Sequence, residues 1–202
     1  DLIAPIGEYS GTLNEVIDAL LASTDRPLAA KQAIEIGPGE GSYLQDLAKR
    51  FEHLIALDNS EAMLDRCRRS ASRKNLGNIG FIHGDTTDLL ELASQLASGT
   101  TVTTRRANCI VANMVLHHNA RPQLIFEHVA SLLAQSGIFI VSELCQHDQT
   151  WVRDAAGDVW LGFNESQLEA WAFKAGLSKV VSSYTALRNG FRIQIHAYLK
   201  GS

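Results

Sequence analysis

The stretch Ala33-Ile34-Glu35-Ile36-Gly37-Pro38-Gly39-Glu40-Gly41 runs an apolar strand into a turn with glycine at every second position. Gly37, Gly39 and Gly41 carry no Cβ, so the backbone there can take positive φ and let a ligand lie against it. Such a turn suits a nucleotide. Glu35 and Glu40 flank it, and their charge would repel the pyrophosphate that a helix N-terminus otherwise attracts, so a cationic nucleoside fits better. A dinucleotide fingerprint starting at Gly37 would place its third small residue at Ser42, whereas here it falls at Gly41, and no lysine follows to make a P-loop.

Working outward, Leu54-Ile55-Ala56-Leu57-Asp58 reads as a second strand ending in an acid, and Asn59-Ser60-Glu61-Ala62-Met63-Leu64 opens a helix. Phe81-Ile82-His83-Gly84-Asp85 reads as a third strand, and Cys109-Ile110-Val111-Ala112-Asn113-Met114-Val115-Leu116-His117-His118 as a fourth with its following loop. These ordered motifs resemble those of class I S-adenosylmethionine-dependent methyltransferases over roughly residues 30 to 199. The resemblance implies S-adenosylmethionine as donor, with Asp58 on the ribose hydroxyls and Asp85 at the adenine amino group. It further implies a donor site built from Glu35, Gly37, Gly39, Gly41, Asn59, Met63, Gly84, Thr86, Asn113, Met114 and His117. Methyltransferases acting on exocyclic amines of DNA would show Asn-Pro-Pro-aromatic where this chain has Asn113-Met114-Val115-Leu116, which argues against that substrate class.

Strand and helix patterns alternate along the chain: strand 33–37, helix 41–51, strand 54–58, helix 60–72, strand 79–83, helix 87–97, strand 108–113, helix 121–134, strand 137–144. Alternation of this kind predicts an α/β fold with a doubly wound, mostly parallel sheet. Ser98-Gly99-Thr100-Thr101 to Arg105-Arg106 reads as an exposed loop. Asn164 and Gln167 suggest a capping box for a helix over 165–175 closed by Gly176. Strand 178–185, the turn Arg188-Asn189-Gly190 and Phe191-Arg192-Ile193-Gln194-Ile195-His196-Ala197 then form an antiparallel C-terminal hairpin. The total is seven strands, in a Rossmann-like methyltransferase fold. Ile6, Leu13, Ile17, Leu20 and Leu21 predict an N-terminal helix over 8–22. The organisation expected is one domain over 1–202, with a helical cap (1–30), a donor-binding core (31–145) and acceptor-side helices with the hairpin (146–202).

A chain of 202 residues can bury roughly 70% of its unfolded surface without staples. Its three cysteines, Cys67, Cys109 and Cys145, form no C-x-x-C pair and read as buried thiols in a reducing, cytoplasmic setting. No apolar run reaches the roughly 18 residues of a membrane span, and no signal peptide opens the chain. The net charge of −4 argues against nucleic-acid binding, and the basic group Arg66-Arg68-Arg69-Arg73-Lys74 reads as a solvated helix face. The start at Asp1 rather than Met suggests an excised or trimmed domain.

Methyl transfer needs in-line placement, exclusion of water and, for some acceptors, removal of a proton. His118 is the candidate catalytic residue, as proton acceptor or hydrogen-bond partner of the acceptor; the competing reading gives the pair His117-His118 no fixed duty. No metal site is expected, because adjacent histidines diverge and His147 with Asp148 would have to approach from another element. Trp151, Trp160 and Phe163 either cover an acceptor pocket or pack their segment onto the sheet. The stretch from Ser142 to Phe163, together with Glu35–Gly41 and Leu57–Ser60, also resembles methyltransferase domains fused behind ArsR-type regulators. Two functions follow: methyl transfer to a small-molecule acceptor, or a sensor domain that binds the donor without turnover. The oligomeric state is left open.

Overall fold

The strands expected from alternating apolar residues pair into one seven-stranded sheet of order β3-β2-β1-β4-β5-β7-β6. The computed structural model describes residues 3–25, 27–85 and 106–201. Its strands are β1 (Gln32–Ile36), β2 (His53–Asp58), β3 (Ile79–His83), β4 (Ala107–Asn113), β5 (Leu133–Leu144), β6 (Leu177–Ala186) and β7 (Arg192–Lys200). β1 to β5 run parallel, and β7 inserts antiparallel between β5 and β6. The doubly wound sheet and its C-terminal hairpin are therefore as the alternation predicts. The expected helix 87–97, the loop from Ser98 to Arg105, and Thr86 lie outside the described residues.

The period of two along each central strand sorts side chains onto two faces. Ala33, Leu54, Ala56, Cys109 and Val111 join one apolar cluster, with Leu44 and Leu47 of α2 (Leu44–Ala48) and Cys67 of α3 (Glu61–Arg73). Ile34, Ile36, Ile55, Ile110 and Ala112 join the other, with Ile125, Phe126 and Val129 of α4 (Pro122–Leu132). α1 (Ser10–Leu21) follows a 3-10 turn at Ile6–Glu8 and lays Leu13, Val16 and Ile17 into the first cluster with Phe191, Ile193 and Ile195. The N-terminal segment is thus part of the core.

Two boundaries differ from expectation for local reasons. The helix expected over 41–51 is only Leu44–Ala48, because Gly39 and Gly41 hold left-handed φ of 56° and 77° and delay helical geometry. Helix 121–134 stops at Leu132, whose successor Leu133 already has extended backbone (φ −64°, ψ 139°) and starts β5. At the helix following Gly162, Asn164 caps by accepting from Ser166 N–H at 3.1 Å, in place of a reciprocal box with Gln167. That helix is α6 (Glu165–Lys174), and α5 is Trp151–Ala156.

The aromatic segment resolves toward packing. Trp160 packs at a tilt on Phe163 (5.6 Å) and edge-on against Trp171 (6.1 Å), and its indole N–H donates to the Asn119 carbonyl at 2.9 Å. Phe163 is buried against the same α6 face, while Trp151 is half exposed beside Phe191. Trp160→Ala should therefore cost about 3 kcal/mol in chemical denaturation, with the denaturant slope unchanged. A loss under about 1 kcal/mol would contradict this packing role.

Candidate functional site

Neighbouring strands β1 and β4 send their chains to opposite faces of the sheet, α2 on one side and α4 on the other, so their carboxyl ends part and leave a crevice. A cavity of about 1000 Å³ opens there. That volume lies at the upper end for ligand pockets and suffices for a nucleoside donor with a small second ligand.

Of the residues expected at the donor, Glu35, Gly37, Gly39, Asp58, Asn59, Met63, Gly84, Asp85, Asn113, Met114 and His117 line this cavity. Gly41 does not line it. A Cβ at Gly41 would lie 2.9 Å from Leu44 Cδ1 and 3.3 Å from Cys67 Sγ, so this glycine serves the packing of α2 against α3. The other two glycines differ from each other: a Cβ at Gly37 would collide with Val115 of the β4 loop, whereas one at Gly39 meets no atom within 4 Å. The Gly39 carbonyl is fixed from behind by the Cys67 thiol, which donates at 3.0 Å.

The acids of the site are treated in different ways. Glu40 sits in solvent with Arg66 as partner, an exposed pair of little energetic weight. Glu35 is 1% exposed, its Oε2 has no hydrogen-bond partner, and burial pushes its carboxyl up to about 8. A buried carboxyl without a partner is costly unless something cationic arrives. Asp58 is buried at the β2 end, and its Oδ1 accepts from Ser60 N–H at 2.8 Å, which fixes the carboxylate at the start of α3.

The opposite wall comes from β4, β5 and the N-terminus. Met114 has φ of 55°, a conformation that costs a non-glycine residue about 1 kcal/mol or more. That turn, with Met114 N–H on the Ser142 carbonyl at 2.8 Å, brings Leu116–His118 back over the cavity as a 3-10 turn. Glu143, fully buried at the end of β5, accepts from Leu116 N–H at 2.6 Å and bonds His117 Nδ1 at 2.7 Å. Burial pushes the His117 imidazole down, but Glu143 and then Asp158 outweigh it and its pKa is raised. His118 is half exposed; burial and then the neighbouring His117 lower its pKa, so it is neutral at pH 7. Tyr9 closes the site from the N-terminal segment, donating its hydroxyl to Asn113 Oδ1 at 2.9 Å, with Ala4 and Ile6 beside it.

Tyr9, Tyr43, Glu143 and Asp158 carry no spacing signal in the sequence, although Glu143 stands out as an acid in an otherwise apolar strand. The acid beside the histidine pair is Asp158, which lies 3.7 Å from His117 Nε2 and 3.6 Å from His118 Nδ1. Among the described residues, His117, His118 and Asp158 bring one possible metal-ligand atom each to within 4.8 Å of the others. The thiols are reduced, with Cys67 and Cys109 buried. No helix among the described residues is long and apolar enough to cross a membrane.

A family model described as a methyltransferase domain matches residues 28–175. The carboxy-S-adenosyl-L-methionine synthase of Nautilia profundicola is 26% identical over 193 residues, covering 90% of this chain and 74% of that protein. A trans-aconitate 2-methyltransferase from Acidovorax sp. is 39% identical over 71 residues, covering 34% of this chain and 25% of that protein. In fold, the chain superposes on magnesium protoporphyrin IX methyltransferase from Synechocystis PCC 6803 with bound S-adenosylmethionine, at a TM-score of 0.69 and 19% identity over 96% of this chain and 81% of that one. With most of its length inside the family model and the glycine turn, paired acids and switch-point cavity in place, the chain belongs to the methyltransferase-domain family and is an S-adenosylmethionine-dependent methyltransferase.

Proposed function

We propose that this chain transfers a methyl group from S-adenosylmethionine to a small-molecule acceptor by direct in-line displacement. The observation that carries the reading is Glu35, a buried carboxyl facing the cavity with one oxygen unpartnered and its pKa raised. Such a group favours a cationic ligand and disfavours a phosphate. The residues present therefore fit a sulfonium donor. In this reading Glu35 faces the donor's positive charge and Asp58 takes the ribose hydroxyls. Asn59, Met63, Gly84 and Asp85 surround the base, with Thr86 following them in sequence. Gly37 and Gly39 lie against the donor chain, and Asn113, Met114 and His117 close the other side.

The donor supplies an electrophilic methyl carbon on a positively charged sulfur. The bond from acceptor to carbon forms as the carbon–sulfur bond breaks, and the sulfur leaves as the neutral thioether of S-adenosylhomocysteine. The acceptor's proton passes to His118, whose imidazole is neutral at pH 7 and open to the cavity. The N-terminal cap (1–30) covers the acceptor through Ala4, Ile6 and Tyr9, and His118, Asn119 and Asp158 line the same cavity. The donor core (31–145) and the acceptor-side segment (146–202) meet at this point. The space left beside a nucleoside donor supports a small acceptor.

Release of S-adenosylhomocysteine in a screen of acceptor classes tests turnover. Donor binding without release from any acceptor would favour a sensor that binds the donor without turnover. Asp58→Ala should weaken donor binding tenfold to a hundredfold, about 1.5–3 kcal/mol, by calorimetric titration. Unchanged affinity in the folded variant would refute the placement of the ribose. His118→Ala should lower turnover while donor affinity stays within about twofold, and parallel loss of both would remove His118 from the acceptor side.

A further inference from the structure

We propose that His117, His118 and Asp158 form a binding site for a divalent first-row metal ion of the zinc type, at the acceptor end of the cavity. The two histidines are adjacent in sequence, and the 3-10 turn at Leu116–His118 brings their rings to 4.0 Å between centroids at 51°. The third side chain arrives from the loop after α5, where Gly157 in left-handed geometry (φ 74°) turns the chain. Val159 N–H and Trp160 N–H both donate to the His117 carbonyl, at 3.0 and 3.1 Å, and tie that loop to the histidine it faces.

Asp158 is the observation that calls for a ligand. Its side chain is fully buried, it lines the cavity, and both carboxylate oxygens lack a hydrogen-bond partner. The nearest histidine nitrogens stand at 3.6 and 3.7 Å, beyond hydrogen-bond length. Leaving two acceptor atoms dry is costly unless a cation sits between the groups. Around a tetrahedral ion with bonds of about 2.0–2.1 Å, adjacent ligand atoms lie about 3.3 Å apart, so the two spacings from Asp158 to the histidine nitrogens need only a few tenths of an ångström of closure. One ligand atom from each of the three residues already lies within 4.8 Å of the others.

Glu143 completes the arrangement from behind. Bonded to His117 Nδ1 at 2.7 Å, it fixes the tautomer that leaves the Nε2 lone pair toward Asp158, as carboxylates behind metal-bound histidines commonly do. Two nitrogens and one oxygen suit zinc, cobalt, iron(II) or manganese. Three protein ligands leave a coordination position facing the cavity, where an oxygen, nitrogen or sulfur of the acceptor would bind and become more acidic. With the ion bound, His118 is a ligand, and acidification of the bound acceptor takes the place of proton transfer to the imidazole.

Metal-stripped protein without donor is titrated with Co²⁺, whose visible spectrum reports coordination number, and then with Zn²⁺ against a chromophoric chelator. One Co²⁺ per chain should bind at micromolar concentration or below, with absorption of a four- or five-coordinate ion that Zn²⁺ abolishes. Asp158→Asn and His118→Ala should each weaken Zn²⁺ binding at least tenfold, and Glu143→Gln tenfold to a hundredfold. His53→Ala, at the amino end of β2, should leave it unchanged. His118 is half exposed, so its variant stays informative even where Asp158→Asn loses stability. A Co²⁺ spectrum that remains that of the hydrated ion, or Zn²⁺ affinity unchanged in both ligand variants, overturns the site. Because no donor is present, failure here leaves the donor reading intact, and failure of donor binding leaves the ion site intact.

Discussion

The site depends on the parting of β1 and β4 at the centre of the sheet. The two strands pair over Ala33–Ile36 and Cys109–Ala112, yet α2 and α4 pack on opposite faces, so the chain leaves the two strand ends in opposite directions and a crevice opens between them. Gly37 lies at its base and makes room for Val115, which any Cβ there would strike. Glu35 precedes it by two residues and shares the face of Ala33, so the strand's alternation alone sends a carboxyl into a dry position at the bottom of the cavity.

Four buried carboxyl groups then divide the work by their partners. Asp58 has a backbone N–H and is fixed at the cavity wall. Glu143 has both the Leu116 amide and the His117 ring and holds the histidine turn. Glu35 and Asp158 have oxygens with no protein partner, and both face the cavity. A fold of this size can tolerate a few such unsatisfied groups, and they gather where ligands bind. The positive φ at Met114 belongs to the same economy: local strain is held in place by the Ser142 bond so that His117 and His118 face inward.

Much of this was legible in the residues. The glycine turn, the acid ending β2 and the alternation of strand and helix located the donor side, because those features are local and each has its own physical requirement. The acceptor side was not, because Tyr9, Glu143 and Asp158 meet only in three dimensions: Tyr9 and Asn113 are 104 positions apart, and Asp158 faces the histidines across an intervening strand and two helices. Gly41 shows the converse limit. Its spacing matches a ligand turn, while its neighbours in the structure are Leu44 and Cys67. The aromatic segment was undecided for the same reason, since a tryptophan's partners cannot be read from its position in the chain.

The central claim is that a carboxyl kept protonated by burial at Glu35 ionises when the cationic donor arrives. Calorimetric titration of S-adenosylmethionine between pH 6 and 9, in buffers of differing ionisation enthalpy, measures this directly. Glu35 starts with a pKa of about 8, and a bound cation lowers it, so affinity should rise by up to tenfold per unit as pH increases toward 8, then level off. Close to one proton should be released per donor bound at pH 7, and Glu35→Gln should abolish both effects. Affinity independent of pH, or equal proton release from wild type and Glu35→Gln, would contradict the account.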